Sequence, residues 1–156
     1  MTEQQVSTEK KVRPILPFLR IPDNYPDEQP YLWGSRCKNC GTVYLGTRLA
    51  CAKCATTGPF EEVRLSDEGE LYVFTVIYQS FPGINVPYIA AIIDLPEGVA
   101  VRANVEGLDP NNPSPEWFGK KVKMVAEKVA TDREGNEVIA AKFRVVDSQQ
   151  EPGGRQ

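Results

Sequence analysis

The chain has 156 residues, 41% hydrophobic and 25% charged, with a formal net charge of −3. This composition fits one ordinary globular domain or a small domain with an appendage, and the mildly acidic balance argues against a nucleic-acid or anionic-membrane partner. The chain has no histidine and only four cysteines, and no apolar run nears the roughly 20 residues a membrane helix needs.

Residues 1–13 read as a disordered leader. Their polar, mixed-charge start lacks the apolar core of a signal peptide, which predicts a cytoplasmic protein in a reducing compartment. Residues 14–30 hold prolines at 14, 17, 22, 26 and 30 among Ile15, Leu16, Phe18, Leu19 and Ile21. The prolines preclude a long helix. The apolar residues predict a segment lying against the rest of the chain or a partner, with Phe18 a candidate docking residue.

Residues 31–60 form a metal module. Cys37, Cys40, Cys51 and Cys54 read C-x2-C-x10-C-x2-C. Two intervening residues let one tight turn aim both sulfurs at a point, and two facing turns complete the tetrahedron of a closed structural zinc site. Two disulfides would also use four cysteines, but paired spacing and a reducing compartment favour metal. Iron also accepts four tetrahedral sulfurs, yet a rubredoxin-like electron carrier has its knuckles further apart than ten residues. Tyr31–Arg36 reads as the strand entering the first knuckle and Thr42–Leu45 as the strand leaving it. Arg36, Lys38, Arg48 and Lys53 surround the cysteines, with no acid between 36 and 54. They compensate the thiolates, or they form an anion site for a cofactor phosphate or a nucleic-acid backbone.

From residue 69 onward the pattern predicts five strands, at about 70–79, 88–95, 99–105, 121–129 and 137–146. Pro96-Glu-Gly98 and Asp132–Asn136 read as turns, and Pro115–Phe118 as one helical turn. Three sequential strands, a longer crossover and a hairpin suit a five-stranded Greek-key barrel of OB type spanning 61–146, before a disordered tail at 147–156. Val99, Val101, Ala103 and Val105 share one face of the third strand. Ile139, Ala141, Phe143 and Val145 share one face of the last. On the first strand, strict alternation puts Leu71, Val73, Thr75 and Ile77 inside. Tyr72, Phe74, Val76 and Tyr78 then lie outside, a face too apolar for open solvent. Either the chain's own leader or ribbon covers it, or it docks a protein, or it stacks on a base or nucleotide.

Without histidine there is no Ser-His-Asp triad, Cys-His pair or His-ligated catalytic zinc. Four thiolates leave zinc no open position for water. Asp94, at the end of an apolar strand, is a candidate for a buried carboxylate with a raised pKa or for a turn cap. No catalytic residue is assigned.

These residues resemble a known family. Arg36-Cys-Lys-Asn-Cys-Gly41, Arg48-Leu-Ala-Cys-Ala-Lys-Cys54, Gly69-Glu-Leu-Tyr-Val-Phe-Thr75, Pro87–Leu95, Glu97-Gly98 and Gly119-Lys-Lys-Val122 are similar to the zinc-ribbon and OB-fold proteins that accompany thiolases and 3-hydroxy-3-methylglutaryl-CoA synthases. The resemblance spans about residues 30–146. It implies a non-catalytic accessory subunit that scaffolds a thiolase-like partner in a hetero-oligomer and helps to hold coenzyme A. Arg48 and Lys53 would meet CoA phosphates, and Phe18, Tyr72, Phe74 and Tyr78 would meet the partner. The leader is similar to those of benzoylsuccinyl-CoA thiolase-type small subunits, which implies anaerobic breakdown of aromatic compounds. Two positions depart from the family pattern. Ala55 stands where glycine commonly follows the fourth cysteine, and Thr47 stands where proline commonly precedes the arginine. The competing expectation, from residues alone, is a single-stranded nucleic-acid-binding ribbon and barrel, against which stands the lack of any Lys or Arg between 70 and 95.

Overall fold

A computed structural model describes residues 11–146. The first ten residues of the predicted leader and the predicted tail at 147–156 lie outside the described residues. Ten strands and one 3-10 turn make up the described fold: β1 (Val12–Pro14), β2 (Leu19–Arg20), β3 (Tyr31–Cys37), β4 (Val43–Leu45), β5 (Phe60–Arg64), β6 (Glu68–Ile77), β7 (Tyr88–Asp94), β8 (Ala100–Glu106), β9 (Lys121–Thr131) and β10 (Glu137–Val145). No described helix is long and apolar enough to cross a membrane.

β3 is the spine of the ribbon. It pairs antiparallel with β2, β4 and β5. β5, which the sequence pattern does not announce, carries the ribbon sheet on to Arg64, where Arg64 pairs with Trp33. The close approach of β3 and β4 depends on Gly34, because a Cβ there would collide with the carbonyl oxygen of Tyr44.

The barrel strands pair in the order β10-β8-β7-β6-β9, and β9 pairs again with β10, so the pairings return to their start. β8 and β10 run parallel, as an OB-type crossover requires. Their junction is short, with Phe143 opposite Val105 and Arg144 opposite Glu106. Outside it, Glu106 pairs with Lys142 and Arg144, each at 3.2 Å. Inside lie Leu71, Ile89, Ile93, Val101, Val105, Val122, Ile139 and Phe143, all buried. Each such side chain contributes about 1.5–3 kcal/mol.

Val12 and Arg13, assigned above to a disordered leader, instead form part of β1, which pairs parallel with the start of β10. β1 occupies the stretch of β10 that β8 does not reach. The proline-rich segment then crosses to the ribbon. Leu19 is buried, β2 joins β3, and the Trp33 indole N–H donates to the Pro17 carbonyl at 3.0 Å. Leu16, Phe18, Leu19 and Ile21 therefore lie against the chain itself, Phe18 half-buried on the common core, whereas Ile15 is exposed.

Strict alternation fails on β6. Leu71 pairs with Ile93, but Val73 pairs with Ile92, so a bulge at Tyr72 inserts one residue. A single insertion exchanges the faces of the strand residues that follow it, here Val73 to Val76, while Tyr78, past the end of β6, stays exposed. Val73 and Thr75, expected inside, are exposed. Phe74 and Val76, expected outside, pack half-buried against the core. What covers Phe74 is neither leader nor ribbon but the 3-10 turn Pro115–Trp117 and the residue after it, whose Trp117 and Phe118 rings lie 4.9 and 5.1 Å from the Phe74 ring.

Candidate metal centre and docking face

Both metal knuckles are built by backbone hydrogen bonds. The Gly41 N–H donates to the Cys37 carbonyl at 2.8 Å, and the Ala55 N–H to the Cys51 carbonyl at 2.9 Å. Such turns need a left-handed residue at their ends. Gly41 supplies φ 78° at no steric cost, whereas Ala55 holds φ 61° as the sole non-glycine residue with positive φ among the described residues.

The four Sγ atoms lie within 4.8 Å of one another. Cys37 and Cys54 Sγ are 3.7 Å apart, and Cys40 and Cys51 Sγ 3.5 Å. A disulfide needs about 2.05 Å, so none is formed. A tetrahedron with metal–sulfur bonds of about 2.3 Å has edges of about 3.8 Å, close to these separations, so the donor set fits one tetrahedral metal ion. Cys37 and Cys51 are buried, Cys40 and Cys54 half-buried.

Neighbouring hydroxyls polarise two of the sulfurs. The Tyr44 hydroxyl lies 3.3 Å from Cys51 Sγ and, as the leading cause, lowers that thiol's pKa to about 6. Thr42 Oγ1 lies 3.2 Å from Cys40 Sγ and lowers its pKa as well. Both effects favour the thiolate that a metal requires.

The basic residues do not converge on one anion. The Arg48 guanidinium stacks over the Tyr44 ring, 4.6 Å from its centroid. Lys53 is exposed between Cys51 and Cys54. Arg36 stands opposite Glu61 in the β3–β5 ladder.

The aromatic residues expected to dock a partner separate into two groups. Tyr72 and Tyr78 are 59% and 58% exposed, and the Tyr78 hydroxyl donates to the Pro110 carbonyl. Phe18 and Phe74 are half-buried in the chain's own core. More apolar surface is exposed at Phe81, Ile84 and Val86 on the β6–β7 loop. Asp94 is exposed at the end of β7 rather than buried. At the following turn it is Glu97 Oε1 that accepts the Ser66 N–H, at 2.7 Å.

Residues 27–59 match the family model for the rubredoxin-like zinc ribbon domain of ChsH2, and residues 62–127 match that for its C-terminal OB-fold domain. A DUF35 domain-containing scaffold protein of Methanocaldococcus jannaschii is 35% identical over 67% of this chain and 74% of its own length. The chain belongs to the ChsH2/DUF35 family of zinc-ribbon and OB-fold proteins. A benzoylsuccinyl-CoA thiolase subunit BbsA of Thauera aromatica is 32% identical over 94% of this chain and its entire length. A BbsA of Geobacter metallireducens is 45% identical over 50% of this chain and 52% of its own. A solved Ltp2-ChsH2(DUF35) aldolase shares the fold, with a TM-score of 0.58 at 23% identity over 74% of this chain and 84% of that one.

For this ChsH2/DUF35 chain, sequence reading missed Tyr44. A tyrosine on a short strand three residues after a knuckle's turn glycine carries no motif. The signal that was present lay in the spacing, since Tyr44 and Arg48 are four apart and flank the loop into the second knuckle.

Proposed function

We propose that this chain is a non-catalytic accessory subunit of a thiolase-like acyl-CoA enzyme, scaffolding the catalytic subunit in a hetero-oligomer. The observation that carries this reading is similarity to a thiolase subunit along the whole of that subunit's length. The lack of any histidine agrees with it, because the chain then has no side chain whose ordinary pKa lies near neutrality to act as general base.

In this reading Cys37, Cys40, Cys51 and Cys54 hold one Zn²⁺. Bound there, the ion supplies folding stability, since four thiolates fill its coordination. The chain's own residues do the rest. The ribbon becomes a rigid arm, and the exposed rings of Tyr72 and Tyr78 supply the apolar, amphipathic contacts typical of interface anchors. Arg48 and Lys53 lie beside the second knuckle, where they meet phosphates of coenzyme A bound at the partner. The substrate class that fits best is an aromatic β-ketoacyl-CoA undergoing thiolysis during anaerobic degradation of aromatic compounds, in the cytoplasm.

Co-expression with a candidate thiolase-like catalytic subunit tests the reading. The two chains should co-purify, thiolysis should depend on both, and Tyr72→Glu should weaken the complex while leaving the fold intact. Separate elution, with thiolysis unchanged by adding this chain, would refute it.

A further inference from the structure

We propose that Tyr44 is a positioning residue of the metal centre, its hydroxyl donating a hydrogen bond to the Cys51 sulfur and tying the second knuckle to β4. The proposal rests on the reading of the four cysteines as a metal site.

The direction of the hydrogen bond follows from its surroundings. The Ala52 backbone N–H donates to the Tyr44 oxygen at 3.0 Å. A backbone amide can only donate, so the phenol accepts there and keeps its own hydrogen for another partner. Cys51 Sγ lies 3.3 Å away. A metal-bound sulfur is a thiolate and can only accept.

The ring is held from its face. The Arg48 guanidinium, 4.6 Å from the ring centroid, pins it by a cation–π contact. Tyr44 thus links β4, the loop carrying Arg48 and the second knuckle. The first knuckle closes with glycine, and the hydroxyl on its Cys40 sulfur comes from Thr42, the residue after that glycine. The second closes with Ala55 at φ 61°, a conformation that costs an L-residue energy. The side chain reaches into the knuckle whose backbone is under strain. Neighbouring groups that hydrogen-bond to a ligand commonly change metal affinity 10–100-fold.

Tyr44→Phe keeps the ring and its Arg48 stack and removes only the hydroxyl. The full chain is purified with zinc, and metal transfer to a chromophoric chelator is timed. The same chain is then loaded with Co²⁺ and its sulfur-to-cobalt charge-transfer band recorded. Tyr44→Phe should release metal roughly tenfold faster or more and shift the band, whereas Tyr72→Phe, which removes a hydroxyl from an exposed ring elsewhere, should do neither. The band reports the electronic environment of the sulfurs, so a general loss of stability does not imitate the result. Unchanged release with an unchanged band would overturn the role of Tyr44 alone. A wild-type chain that takes up neither zinc nor cobalt would overturn the metal reading and this proposal with it.

Discussion

Phe74 and Trp117 meet with ring centroids 4.9 Å apart and planes inclined by 46°. A tilted contact at this distance is a favoured aromatic geometry. It exists because the bulge at Tyr72 turns Phe74 inward. Phe74→Ala should therefore cost about 2 kcal/mol, below the usual 3–5 for a core phenylalanine because the ring is only half-buried. Tyr72→Ala, two residues before it, should change stability by no more than about 0.5 kcal/mol. Urea midpoints of the two variants decide the matter. Equal losses would mean that both rings share one environment.

Ala55→Gly should stabilise the ribbon. Alanine at φ 61° carries a penalty that glycine escapes, on the order of 1 kcal/mol. The expected outcome is a higher thermal midpoint and slower metal loss. A lower midpoint would show that glycine's unfolded-state freedom outweighs the relief of strain.

Acid should loosen the β9–β10 turn. The Asn136 side chain, its backbone N–H and the Arg13 guanidinium hold the Asp132 carboxyl down to about 2, from an ordinary 3.8. A depressed folded-state pKa stabilises above the unfolded value and ceases to do so as pH falls through the folded one. Asp132 thus contributes fully above about pH 4, and its contribution should fade between about pH 4 and 2. Urea midpoints measured across that window should fall less steeply in Asp132→Asn than in the parent. Parallel slopes would remove Asp132 from the account.

Removing the metal should unfold the ribbon and spare the barrel. Structural zinc contributes on the order of 10–16 kcal/mol in zinc-finger peptides, while most of the buried core lies on the barrel strands. Hydrogen exchange after chelation should accelerate through β3 to β5 and remain slow in β7 and β10. Protection retained across β3 would contradict a metal-dependent ribbon.

The legible parts of the sequence were those governed by strong local rules. The cysteine spacing marked the knuckles, and period-two alternation on β8 and β10 named Val101, Val105, Ile139 and Phe143, all buried. The failures have a common cause, which is that the deciding contact was distant in sequence. The Tyr72 bulge depends on how β7 registers against β6. β5 is a strand because β3 offers an edge, despite the charges of Glu61, Glu62 and Arg64. β1 is ordered by Glu137 to Ile139, far along the chain. Tyr44 becomes a neighbour of Cys51 only once the ribbon has closed.

β1 also constrains the order of events during synthesis. β1 leaves the ribosome 125 residues ahead of the stretch it pairs with, Val12 to Pro14 alongside Glu137 to Ile139. The ribbon has every strand it needs once residue 64 is out, so it can close while translation continues. β1 must wait unpaired until the β9–β10 hairpin exists, which makes its docking a late, non-local step. Nascent chains halted before residue 137 should therefore expose that segment to protease, and released chains should protect it.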